Sequence, residues 1–141
     1  MKSVYLLILV TTISTVGFSQ SLNSKILGHW LNDDGTSQIE IFQKDDKYFG
    51  KIIWLKEPNQ PNGKPKVDKN NPNPALREKP IVGLEIITDL EFINGNWVNG
   101  TIYSPKEGQT VNSSMLLLNE NILKVTASKF LFSTTKIWKR L

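Results

Sequence analysis

The chain has no cysteine in its 141 residues and a single histidine, His29. Without cysteine there is neither a disulfide framework nor a thiol for lipid attachment, so apolar burial alone must hold the fold. One histidine and no thiolate leave a transition-metal site or a cysteine–histidine nucleophilic pair poorly supplied, and no metal or cofactor is expected. Arginine is almost as scarce, at Arg77 and Arg140 only. The 17 basic and 13 acidic residues give a formal charge of +4 spread along the chain without a basic block, which points away from nucleic acid as a partner.

Long apolar runs are missing too, except at the start. Lys2, the apolar stretch Val4 to Val10, and Gly17-Phe18-Ser19 before Gln20 have the order of an export signal. A membrane span needs about 20 apolar residues, and Thr11, Thr12, Ser14 and Thr15 interrupt this one. Residues 1–19 are therefore expected to be a cleaved signal peptide, residues 20–141 a single domain, and the location periplasmic or secreted. No transmembrane segment is expected after cleavage.

What the chain has is period-two alternation in short runs closed by turn residues, the pattern of an antiparallel meander. Ile39 and Ile41 share one face. Beyond the turn Lys44-Asp45-Asp46-Lys47, the next run would put Tyr48, Gly50, Ile52 and Trp54 on one side. Asn94-Gly95 is a type I′ hairpin signal leading into Trp97 to Tyr103, whose two ends fall on one face by even spacing. Turns at Pro105 to Gly108 and Asn119-Glu120-Asn121 divide the remainder, ending with Phe132 to Arg140. About eight strands result, and closing them into a small barrel removes both sheet edges. The fold expected is all-β, a small antiparallel barrel. A barrel of about eight strands is either filled by its own side chains or holds one small ligand. An outer-membrane barrel would need strands of about ten residues with aromatic girdles, and these runs are shorter and broken by Lys51, Lys124 and Lys136.

One connection does not fit a simple meander. From Lys56 to Pro80 the chain is polar and proline-punctuated, far longer than the 2–5 residues or so of an ordinary hairpin, and such loops carry function. Asp68-x-Asn70 begins like a calcium loop, but Asn73 and Lys79 occupy the positions of the required glycine and bidentate glutamate. Asp68 and Asn71 suit Asx-turns, Asn73 suits the cap of a short helix with Pro74 at its first position, and Arg77 can present its fork to an anion. Glycoside cleavage would need two convergent carboxylates, and nothing in the spacing of Asp68, Glu78, Glu85, Asp89 and Glu91 selects a pair. An enzyme is thus less expected than a binding protein, and no catalytic residue is assigned.

Gly28-x-Trp30 near the start and Trp138-x-Arg140 at the end resemble the closing arrangement of lipocalin-like calycin barrels, in which an arginine stacks across an early tryptophan. That resemblance implies that Trp30, Trp138 and Arg140 close the structure. Together with Gly50, the Asp68 to Gly83 segment and Trp97-x-x-Gly100-x-x-Tyr103-x-Pro105-x-x-Gly108, these residues resemble the bacterial secreted domain-of-unknown-function family 2147. Asp68, Asn71, Pro72, Pro74, Arg77, Pro80 and Gly83 match its motif. Asn73, Val111, Ala127-Ser128 and Ser133 depart from it. The family brings no established activity.

The reading that follows is an exported barrel binding a lipid-like or partly apolar small molecule. Trp54, Trp97 and Tyr103 are its candidate apolar contacts, and Asp68, Asn71 and Arg77 its rim. The alternative is a solid barrel that meets an envelope protein or glycan through the 56–80 loop.

Overall fold

Eight strands follow one another around a closed barrel, each antiparallel to the next, with the last returning to the first. They are β1 (Gly28–Leu31), β2 (Ser37–Lys44), β3 (Lys47–Leu55), β4 (Glu85–Ile93), β5 (Asn96–Ser104), β6 (Gln109–Asn119), β7 (Ile122–Lys129) and β8 (Phe132–Arg140). This computed structural model describes residues 21–141, and the expected signal peptide lies outside them. Among the described residues no helix is long and apolar enough to cross a membrane. The tight turns fall at the polar pairs expected: Asp45 takes φ 55°, and Asn94 and Gly95 take 51° and 84°. Their short side chains or lack of one tolerate the left-handed backbone that a two-residue hairpin demands.

At the end that holds the β2–β3, β4–β5 and β6–β7 turns, the interior is solid. Trp30, Ile41, Tyr48, Leu90, Trp97, Met115 and Leu123 are all buried there. The Tyr48 ring meets Trp97 edge-on at 6.2 Å, and Phe92 lies 4.9 Å from the same indole. Burial pushes the Tyr48 phenol pKa up.

The barrel closes where it is thinnest. β1 and β8 share only the pairs Trp30↔Arg140 and Leu31↔Lys139. The Arg140 guanidinium lies 4.2 Å over the Trp30 ring. It also donates to the carbonyls of Glu120 at 2.6 Å, Leu27 at 2.9 Å and Lys25, while the Trp30 indole donates to the Ile26 carbonyl at 2.9 Å. Gly28 makes room: at φ 120° a side chain would be strained, and a Cβ would stand 3.2 Å from the guanidinium. The indole–guanidinium seal expected from the termini is therefore present, and Arg140 extends it by tying its own strand to two other stretches of backbone.

Two bulges correct the expected faces. Between β2 and β3 the register steps from Ile39↔Ile52 to Gln38↔Trp54, one residue against two. The extra residue reverses the alternation, so Trp54 leaves the Ile52 face and is 40% exposed. Between β5 and β6 the step is from Trp97↔Met115 to Gly100↔Ser113, with Asn99 at φ 63° as the surplus residue. Trp97 stays in the core, but Ile102, paired with Ile87 and Val111, continues the inward set in place of Tyr103.

The β3–β4 connection corrects a third expectation. Its helical content is one 3-10 turn, Pro74–Leu76, rather than a short α-helix. Asn73 does cap it, accepting from the Ala75 amide at 3.1 Å. The turn cannot lengthen because Pro80 bars Lys79 from helical backbone, and the Lys79 carbonyl is instead taken by the Asp68 amide at 2.8 Å.

Candidate functional site

The end of the barrel opposite the packed core is open. Here the side chains leave a cavity of about 1050 Å³. Ile39, Ile52, Ile102, Val111, Val125 and Trp138 are among the side chains that wall it. A pocket of that size, with aliphatic side chains in its wall and many polar and charged ones around its mouth, suits a small, partly apolar molecule. The mouth is formed by the β1–β2 connection at Asn32 to Thr36, the long β3–β4 loop, the β5–β6 turn at Ser104 to Glu107, and the β7–β8 hairpin.

The long loop is bound to this rim by a buried carboxylate. Asp68 is fully buried, and its two oxygens accept from the Tyr103 hydroxyl and the Asn71 amide, each at 2.7 Å. Burial, then the adjoining Asp68 carboxylate, push the Tyr103 phenol up to about 12. Next to it, the Asn70 side chain donates to the Lys106 carbonyl at 2.8 Å. Gly108, at φ 65°, is what allows this approach, since a Cβ there would stand 2.0 Å from the Asn70 carbonyl oxygen. Arg77 braces the loop from within, its Nε donating to the Asn71 carbonyl at 2.8 Å.

Charge is unevenly partnered around the mouth. Lys136 pairs with Asp33 at 2.9 Å and Lys66 with Glu57 at 3.7 Å. Lys56, Lys69, Lys106 and Lys129 also line the opening and have no ion pair among the described residues. The Thr36 hydroxyl holds the Asp34 carboxyl below its ordinary pKa. His29 is exposed on the outer wall, 3.3 Å from Glu40. Among the described residues no three histidine, aspartate or glutamate side chains converge as metal ligands.

The residues singled out from the sequence fall into three places. Asp68, Asn71 and Tyr103 come together, with Arg77 attached, as the pin of the loop at the rim, and Tyr103 also lines the cavity, as expected of it. Trp97 lies in the packed half and outside the cavity wall, and its indole N–H has no hydrogen-bond partner among the described residues. Trp54 stands on the exterior. Trp138, expected as part of the closure, is also a wall of the cavity. The sequence pattern does not assign the aliphatic lining at Leu55 and Ile102, because its inward placement depends on the bulges, whereas Val111 and Ala127 continue the unbroken alternation of Met115 and of Val125.

This architecture is shared with a solved structure, protein HP1028 from the human pathogen Helicobacter pylori, which is described as belonging to the lipocalin family. The two are 27% identical, with a TM-score of 0.67 over 74% of this chain and 72% of that one. No curated protein matches the chain. The model of a family described as "Uncharacterized protein conserved in bacteria (DUF2147)" matches residues 28–140, from the glycine that admits the closing guanidinium to the arginine that carries it. The chain belongs to that family.

Proposed function

We propose that this protein is an exported carrier or receptor for one lipid-like or partly apolar small molecule, held in the open half of the barrel. The observation that supports this reading most is the division of the interior, solid at one end and hollow at the other, with a cavity of about 1050 Å³ that combines aliphatic side chains with a polar and charged mouth. A barrel serving only as a scaffold for its outer surface gains from being filled throughout, since every void forfeits packing. The likeness to a barrel of the lipocalin family points the same way. The loop contributes the rim: Asp68 and Asn71 use their polar groups on one another and on Tyr103, so the role we assign them is holding the mouth in shape.

Delipidated protein mixed with an envelope lipid extract, examined by native mass spectrometry, tests the proposal. One ligand per chain is expected on the wild type, and none on Ala127→Trp, which fills the hollow half from β7. Absence of adducts on the wild type, or equal adducts on both, would reject the cavity as the site.

A further inference from the structure

The β7–β8 turn breaks the rule the other tight hairpins obey. Their tips are Asp45-Asp46, Asn94-Gly95 and Glu120-Asn121, whereas this one is Phe130-Leu131 followed by Phe132. The three side chains are 92%, 97% and 82% exposed, so the barrel core gains nothing from them. Nor does the turn require them. Phe130 sits at φ 55°, a backbone that asparagine or glycine adopts with less strain than a bulky side chain.

The position of the tip is equally specific. Lys129 and Phe132, on either side of the turn, both line the cavity mouth, so the hairpin projects at the open end. Lys56, Lys69, Lys106 and Lys129 surround that same mouth without ion-pair partners among the described residues and outnumber the likewise unpaired Asp34 and Glu107 there.

We propose that the Phe130–Phe132 tip is a wedge that enters the surface of an anionic phospholipid bilayer, with the unpaired lysines of the mouth meeting the lipid headgroups. A protruding apolar point bordered by cations matches the polarity gradient at the edge of such a bilayer. A folded protein partner fits less well, because three side chains offer roughly 500 Å², short of the ~800 Å² per partner of a stable interface. Docked in this way, the barrel opens directly onto the membrane, and an apolar molecule passes between them without crossing bulk water. The wedge rests on the tip and the lysines and stands apart from the cavity's occupancy.

Residues 21–141 contain the whole barrel and its core, so the experiment uses the chain from Gln20. Co-sedimentation is measured with vesicles of phosphatidylglycerol and phosphatidylcholine, and with phosphatidylcholine alone. Binding is expected on the anionic vesicles and to weaken with salt. F130S/L131S/F132S should lower that affinity by about tenfold or more, and Lys129→Glu by about fivefold or more. Leu131→Ser alone, at the most exposed of the three positions, gives a smaller loss of the same sign and covers failure of the triple variant to fold. No binding of the wild type to anionic vesicles, or undiminished binding of the serine variants, would overturn the proposal. So would a concentration-dependent dimer that F130S/L131S/F132S dissolves without any vesicle binding, which would make a second copy of the chain the occupant.

Discussion

Arg140 concentrates more of the fold's specificity than any other side chain, because one guanidinium stacks on Trp30 and donates to three carbonyls from two separate stretches of chain. Lysine keeps the charge but has neither the plane nor the fork. Arg140→Lys should therefore lower stability by about 2–4 kcal/mol in urea unfolding, the sum expected for a stacked cation and charge-assisted hydrogen bonds. This pair was legible through the resemblance of Gly28-x-Trp30 and Trp138-x-Arg140 to the closing arrangement of lipocalin-like barrels. The Asp68 pin was legible only as a set of turn-forming residues: its partner Tyr103 lies 35 positions away, and no local pattern announces a contact between them. Tyr103→Phe should cost about 1–3 kcal/mol at neutral pH by leaving a buried carboxylate oxygen without its donor. The fold favours the neutral phenol, raising its pKa to about 12, so this contribution is whole below the ordinary tyrosine pKa of about 10 and fades as pH rises toward the folded value. Urea titrations at several pH values should show a constant gap between wild type and Tyr103→Phe up to about pH 10 and a narrowing gap above it.

At the scale of elements, the β3–β4 loop and the β1–β8 seam are the parts whose strength is open to direct measurement. Gly108→Ala places a methyl against the Asn70 carbonyl and should lift the loop from the β5–β6 turn while leaving the barrel closed. Amide exchange at Asp68 and Asn71 should then accelerate about tenfold or more, with little change in β6 and β7. The seam is short because β1 has four residues against nine in β8, and beyond Leu31 it is spanned by the Lys136–Asp33 ion pair. The amides of β8 between Phe132 and Ile137 that face β1 should accordingly exchange before those of β6 and β7. Strand number, order and most turns could be read from alternation and from the Asp-Asp and Asn-Gly pairs. The faces of Trp54 and Tyr103 could not, because a single surplus residue inverts everything beyond it, and the bulges that supply it depend on pairing with a partner strand.

For the molecule as a whole, the consequence is polarity along the barrel axis. Large aromatic and aliphatic side chains fill the end where the termini are tied, and β-branched and small residues leave the other end hollow. The sequence shows both kinds of residue but not which end each occupies, since that follows from the stagger of eight strands around the axis. The domain's stability therefore rests on the packed end, and the hollow end is free to differ in shape and contents. Isoleucine reports on both halves, with Ile39, Ile52, Ile86 and Ile102 at the cavity and Ile26 and Ile41 buried outside its lining. The most direct test is a methyl NMR titration of isoleucine-labelled protein with a single-chain lysophospholipid. The cavity methyls should shift and saturate at one equivalent while those of Ile26, Ile41 and the exposed Ile93 stay in place. Shifts confined to Ile93, or none at all across this ligand and an envelope lipid extract, would contradict a binding barrel.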